Sequence, residues 1–492
     1  MVAAPVGGIG GYEHRPWANT FRCYPDRFFQ PETVEQVQAI VRYAAANDIN
    51  IVLTGATHSP SLITYTRGWL MNLDKLDRIL DIQGGQGDYS DVTVEAGIRL
   101  EALNEALPKR GLALQNLGSI SEQSVAGVIS TGTHGASYCH GLISEQFVSI
   151  TLVTESGDLV TVSDEENPDL FRAVLIGLGA FGIIVKATIR CVPAFNIESK
   201  SYILDFETLL SPSIWDKVFL ESEFHRIWWY PYADKFVVWQ GDRTTKPAKP
   251  VAAKSFSGSF FGRLLYEFLL WISVRWIPGF TPVLERWYFK RQFNEGAVVK
   301  HVDRSDRQIN MDCLFKQFVN EWSLPLSNGP EILRELKQEI LKENFYVHSP
   351  FELRASNTTL PSRKQLSNLP PHRSPHKGPV YGNVSRPILD PSPVLPYATP
   401  DKTTNAQLTL NLNATLFRPF RYDPQVDVWY DYFESISAKY NGRPHWAKNF
   451  RSNPWLEPQN RGLVKEWKSL RDSISPKHIF GSQEWLKEKG LD

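Results

Sequence analysis

Two loops rich in glycine and hydroxyl side chains constrain this chain more than any other feature. The first, Thr54-Gly55-Ala56-Thr57-His58-Ser59-Pro60-Ser61, follows the short apolar run Ile51-Val52-Leu53. The second comprises Gly118-Ser119-Ile120-Ser121, Ala126-Gly127 and Ser130-Thr131-Gly132-Thr133-His134-Gly135. Loops of this kind present backbone N–H groups that cradle phosphate oxygens, and two of them about 60 to 75 residues apart suit a long, bent dinucleotide such as FAD. A third glycine segment, Gly177-Leu178-Gly179-Ala180-Phe181-Gly182, satisfies G-x-G-x-x-G. That motif binds a nucleotide only between a preceding strand and a following helix. Here a helical stretch from Leu170 to Gly179 comes first and a strand-like run from Ile183 to Val192 follows, so a nicotinamide site is rejected. The segment reads instead as a helix-to-strand turn packed closely against a neighbour.

The surrounding pattern is α+β. Val34, Val37, Ile40, Val41 and Ala44 follow helical spacing behind a Thr33 cap. Strands are expected at Ile51–Leu53, Trp69–Leu73 and Val92–Ala96, and a hairpin at Ser149–Thr154 and Leu159–Ser163. A helix carrying Leu100, Leu103 and Leu107 ends at Gly111, and Pro193 closes the region. Beyond it, Arg243 to Gly258 reads as a polar loop. Residues 361–400 hold ten prolines, which excludes a helix or central strand and predicts a mobile surface insertion. Period-two alternation returns from Gln407 to Phe417, and no internal repeat is present.

Bulk properties exclude several classes. The 53 acidic and 53 basic side chains leave no net charge to draw the molecule to nucleic acid. Cys23, Cys139, Cys191 and Cys313 stand far apart without a C-x-x-C, so neither a metal site nor a disulfide framework is expected. The first eleven residues lack the features of a secretory signal or a transit peptide. Residues 260–289 are rich in Trp, Phe and Leu, but Arg275 and two prolines break the run well short of the roughly 20 apolar residues that span a bilayer. A buried helix pair is the preferred reading, and a peripheral lipid contact the alternative.

Taken together, the Thr54-to-Leu73 segment, Leu114-Gln115-Asn116-Leu117-Gly118-Ser119-Ile120, the Ser130–Gly135 loop and Arg443-Pro444-His445-Trp446-Ala447-Lys448 resemble the sugar-1,4-lactone oxidases. This is a group within the vanillyl-alcohol-oxidase flavoprotein superfamily. The resemblance implies a two-lobed PCMH-type FAD-binding domain over 17–195. An α+β substrate (cap) domain over 196–492 would follow, its H-W-x-K segment at 445–448 returning to the flavin. It also implies FAD joined covalently to His58, in a site drawn from Thr54, Gly55, Ala56, Thr57, Ser59, Pro60, Gly118, Ser119, Ser121, Gly127, Thr131, Gly132, Thr133, His134 and Gly135. Members usually carry glycine before the linking histidine. Here Thr57 takes that place, and its β-branch predicts a loop that avoids positive φ.

Pro350-Phe351-Glu352-Leu353-Arg354 resembles the family's E-x-R pair, and alternation puts Glu352 and Arg354 on one side of a strand. The resemblance gives Arg354 and Lys448 the negative charge developing on substrate and flavin, Glu352 a lactone hydroxyl, and His445 a part in proton acceptance. Lys448 and His445 would share one face of a helical turn. The implied reaction is oxidation of an aldono-1,4-lactone, D-arabinono-1,4-lactone foremost, by O2 to an ascorbate-type product (D-erythroascorbate) and H2O2. Gly118 stands where dehydrogenase relatives carry a larger residue, which favours O2 over cytochrome c as acceptor. A non-catalytic, membrane-associated flavin protein is the rival from another class. Location at a mitochondrial membrane is implied by the resemblance, with the cytoplasm as alternative.

Overall fold

Apolar spacing in the first hundred residues is realised as layers. In the computed structural model, which describes residues 7–84, 88–249, 256–342, 344–357, 385–393 and 408–492, helix Val34–Ala46 buries Val37, Ile40, Val41 and Ala44. Thr33 caps it by accepting the Gln36 N–H. That face covers a parallel sheet of β1 (Arg27–Phe29), β2 (Ile51–Thr54) and β3 (Trp69–Asn72), in the order β1-β3-β2. A second sheet is built from β4 (Ile79–Gly84), β5 (Ser90–Glu95), β6 (Leu112–Ala113), β7 (Phe147–Val153), β8 (Leu159–Ser163) and β9 (Ile183–Pro193). Its order is β4-β5-β9-β7-β8, with β6 also on β9, and every pairing is antiparallel. Helix Pro168–Val174 precedes the Gly177–Gly182 turn and β9 follows it. Gly182 adopts φ 137°, and a Cβ there would stand 2.5 Å from the Val153 carbonyl oxygen, so the turn is indeed packed close.

The third sheet carries the chemistry. It comprises β10 (Asn196–Asp205), β11 (Phe224–Tyr230), β12 (Lys235–Thr244), β13 (Val299–Arg304), β14 (Gln317–Pro325), β15 (Phe351–Ser356), β16 (Thr409–Phe417) and β17 (Arg443–Pro444). The order is β13-β10-β12-β11-β15-β16-β14-β17. One face packs on helices Gly329–Ile340 and Asp427–Lys439 through Trp322, Leu353, Leu412 and Trp429, all buried. The C-terminal helices Arg461–Ile474 and Gln483–Glu488 turn back to the second sheet. Trp467 and Trp485 sit in its core, and the Trp467 indole donates to the Ile176 carbonyl at 3.2 Å.

Three expectations change here. The Pro-rich insertion falls mostly outside the described residues, but 385–393 are not a loose surface loop. Ile388 and Leu389 are buried in the core, and the Arg172 side chain donates to the Arg386 carbonyl oxygen. Apolar side chains and a backbone anchor bind this piece despite its prolines. Nor is all of 243–258 loop, because β12 runs on to Thr244 in register with β10. Residues 260–289 do form a helix pair, Phe260–Trp276 and Thr281–Gln292, yet it is buried on one side only. Tyr266, Leu270, Leu284 and Tyr288 face inward, while Phe260, Phe261 and Trp276 face solvent.

Candidate active site

Strand register assembles the site. Trp228 on β11 pairs with Glu352 on β15, Glu352 with Asn413 on β16, and Asn413 with Glu321 on β14. Residues opposite one another across a sheet point to the same face. This single rung therefore lays four side chains side by side across four adjacent strands, away from the helices. The alternate positions Leu353 and Leu412 enter the core instead, and Arg354, two residues from Glu352, shares its face.

The rung is charged and nearly closed to water. Glu321 lies at its centre, 1% exposed. Its carboxylate stands 2.6 Å from His134 Nε2, 3.0 Å from Arg354 Nη2 and 3.4 Å from Lys448 Nζ, and the Asn413 amide donates to it at 3.4 Å. These partners, with the Lys448 charge foremost, outweigh burial and hold the Glu321 carboxyl well below the usual carboxylate range. Glu352 meets Arg226 Nε at 2.9 Å and Arg354 Nε at 3.4 Å. Arg226 also donates to Ser119 Oγ and to the Ile309 carbonyl, and burial pulls its guanidinium down to about 10, still charged near neutrality. Three cations (Arg226, Arg354, Lys448) against two carboxylates leave one net positive charge, which favours negative charge on a bound group.

His445 and Lys448 share this wall on a turn rather than a helix, with the Lys448 N–H donating to the His445 carbonyl at 3.1 Å. Burial lowers the His445 imidazole to about 3. Its Nδ1 accepts the Ala447 N–H at 3.2 Å, so the ring proton sits on Nε2. His445 Nε2–H is thus placed to donate, which does not match the proton acceptance anticipated from the sequence. Trp446 faces the other way, buried against Trp455, its indole bonded to the Leu389 carbonyl.

The opposite wall is made by the two glycine loops. His58 stacks on Trp17 at 5.3 Å, and burial lowers its imidazole to about 4, leaving it neutral. Thr57 overturns an expectation: its φ is 61°, in the left-handed region. The Trp17 N–H donates to the Thr57 carbonyl at 2.8 Å, and this tertiary bond holds the backbone where a β-branched residue would not go by itself.

Two cavities meet at His58, Ser59, Gln123 and Thr131. The larger, 470 Å³, adds Gly118, Ser119, Thr133, His134 and the charged rung. The smaller, 110 Å³, adds Thr54, Gly55, Ala56, Thr57 and Gly127. Thr54 Oγ1 and His58 Nδ1 are buried there without a hydrogen-bond partner. An elongated groove with a polar narrow end and unsatisfied polar atoms fits a dinucleotide, FAD included. Pro60, Ser121, Gly132 and Gly135 line neither cavity. Pro60 instead ties the loop to Thr20 and Asn449 through its carbonyl, and Gly135 lets Asn116 approach. Sequence reasoning missed Arg226, Glu321, Asn413 and Gln123. Its only trace of Glu321 is an acidic residue inside an alternating strand. Gly179, taken as purely structural, also borders the smaller cavity beside Gly481.

This fold and groove define an FAD-dependent oxidoreductase built from a PCMH-type domain and an α+β partner domain. An FAD-binding-domain model matches residues 25–163, and the D-arabinono-1,4-lactone oxidase model matches 187–489. Similar chains include D-arabinono-1,4-lactone oxidases of Yarrowia lipolytica, 45% identical over 98% of both chains, and of Saccharomyces cerevisiae, 42% identical over 98% of this chain and 97% of that one. Among solved structures, cholesterol oxidase from B. sterolicum shares the fold at TM-score 0.76 and 17% identity, over 99% of each chain. The chain belongs to the D-arabinono-1,4-lactone oxidase family.

Proposed function

We propose that the protein oxidises an aldono-1,4-lactone, D-arabinono-1,4-lactone foremost, to the ascorbate-type product D-erythroascorbate, with O2 as acceptor and H2O2 as by-product. The observation that carries this reading is the Glu352–Asn413–Glu321 rung with Arg226, Arg354 and Lys448, net positive and set in the cavity that adjoins His58. FAD, when bound, supplies the two-electron acceptor for the substrate and the reductant for O2. Glu352, steadied by Arg226 and Arg354, accepts the hydrogen bond of a ring hydroxyl and orients the C–H beneath it. Arg354 stabilises negative charge as the proton of that hydroxyl passes to the Glu352 carboxylate, and Lys448 would support negative charge on the cofactor side of the cavity. His445 Nε2–H orients a second substrate oxygen. The ketone formed by loss of one proton and one hydride then enolises to the enediol.

His58 is the point of covalent FAD attachment in this reading. A neutral imidazole with an unpartnered nitrogen, facing both cavities, supports it. Gly118 supports O2 as acceptor, since it adds no side chain of its own to the cavity wall beside Gln123 and Thr133. The family resemblance also supports location at a mitochondrial membrane.

The test uses purified holoenzyme with D-arabinono-, L-galactono- and L-gulono-1,4-lactone, followed by peroxide detection. Turnover and peroxide with the arabinonolactone are expected. Electron delivery to cytochrome c without peroxide would overturn the oxidase reading, and no turnover with any lactone would overturn the substrate class.

A further inference from the structure

Helix Phe260–Trp276 breaks the usual rule for a surface helix, one apolar stripe inward and a polar face outward. Tyr266, Leu270 and Ser273 face the core, as they should. On the outer side stand Phe260 and Phe261, 75% and 81% exposed, then Leu264, Leu265 and Phe268, and finally Trp276 at 59%. The exposed positions follow at i, i+3, i+4 and i+7 from Phe261, a continuous stripe. Ile277 and Val283 prolong it into the next helix, and Phe420, close to Trp271, widens it. Apolar exposure is thus contiguous along one side of the pair, unlike the scattered single residues that a monomer's surface ordinarily shows.

Cations predominate around this patch, since the nearby carboxylates Asp312 and Asp423 are paired with Arg263 and Arg418. Helix Thr281–Gln292 exposes Arg286, Lys290 and Arg291, and Arg275 and Arg421 stand exposed at the ends of the stripe. None of Arg275, Arg286, Lys290 and Arg291 makes an ion pair among the described residues. The two acidic residues of the helix pair are occupied elsewhere. Glu267 accepts the Phe420 N–H, and Glu285 is buried, accepting from Tyr232 and Ala233. Val283, Arg286 and Lys290 share one exposed stripe, so apolar and cationic groups alternate on a common side. Among the described residues no helix is long and apolar enough to cross a membrane.

We propose that the outward face of this helix pair docks on an anionic lipid bilayer, with helix Phe260–Trp276 lying in the headgroup plane. The aromatic and leucine side chains enter the interface and the arginines and lysines meet lipid phosphates. The inner side of the second helix lines the active cavity through Tyr288 and Gln292, so the docked face and the catalytic chamber share one element. This inference deepens the membrane location proposed above. Fractionation of cells tests the location, whereas purified lipids test the face, so each can fail alone.

The experiment is co-sedimentation of holoenzyme with vesicles of phosphatidylcholine, with and without phosphatidylserine. The wild type is expected to bind the anionic vesicles at least about tenfold more strongly, less so as salt rises. The triple variant Phe261→Ser/Leu265→Ser/Phe268→Ser should lose at least about tenfold in binding while keeping its flavin spectrum and its turnover in solution. If that variant fails to fold, the surface variant Lys290→Glu/Arg291→Glu decides by the same loss. Undiminished binding by a folded variant, or no binding by the wild type, overturns the proposal. So does a concentration-dependent dimer in velocity sedimentation that the triple variant abolishes, since a second copy would then be the occupant of the patch.

Discussion

Glu321 holds three unlike partners at once, an imidazole, a guanidinium and an ammonium, and none of the three has another carboxylate at comparable distance except Arg354. Glu321→Gln keeps the shape and removes the charge. Hydrogen bonds to charged groups are worth about 1.5–3 kcal/mol, so kcat/KM should fall about 10- to 100-fold. Unchanged steady-state kinetics would show that Arg354 and Lys448 hold their places without it. Thr57→Gly addresses strain instead of charge. A left-handed β-branched residue costs on the order of 1 kcal/mol, so the variant should melt about 1–3 °C higher, and a lower melting temperature would contradict the strain. Gly118→Ala puts a methyl 2.9 Å from Thr133 Cγ2 and into the cavity wall. Reoxidation by O2 should slow at least several-fold while reduction by lactone changes little, as stopped-flow absorbance would record. The contrast between Thr57 and His58 also shows what one sequence reveals. A histidine in a phosphate-cradling loop is legible from its immediate neighbours. The φ of Thr57 is not, because a partner forty residues upstream, Trp17, decides it.

Elements explain the remaining gap. Glu352 and Arg354 were singled out by the family resemblance, and alternation within one strand, a local property, added that they share a face. Arg226, Asn413 and Glu321 were not, because only the pairings β11·β15, β15·β16 and β16·β14 bring them together, and register is fixed by contacts distant in sequence. The helix pair adds a pH effect. Burial raises the Glu285 carboxyl from 4.5 to about 8, so the fold favours its protonated form. The contribution to stability is complete below about 4.5, is lost as pH climbs through 8, and is level above that. Glu285→Gln retains an oxygen to accept from Tyr232 and Ala233 but cannot ionise. Its melting temperature should gain on the wild type from pH 5 to 8 and keep a constant lead beyond. A gap that narrows over that range would mean the carboxyl is stabilised in its charged form.

Across the whole molecule, the chain's last thirty residues belong spatially to its first half. Trp467 is fully buried against Phe181 and bonded to the Ile176 carbonyl, next to the glycine turn that borders the smaller cavity. Trp467→Ala should cost about 3–5 kcal/mol. Thermal melting would measure the loss, and an unchanged midpoint would remove the packing argument. Chain length foretold more than one domain, but the return of the C-terminal helices depends on tryptophans whose targets no periodicity names.

Ser356 and Thr409 pair directly across β15 and β16, so the ladder itself, four residues further in, sets Glu352 opposite Asn413. The rung's geometry is thus written into the two strands themselves. Descendants of this chain should hold the spacings Glu352 to Ser356 and Thr409 to Asn413 unchanged, because one residue gained or lost within either strand would turn every following side chain to the opposite face.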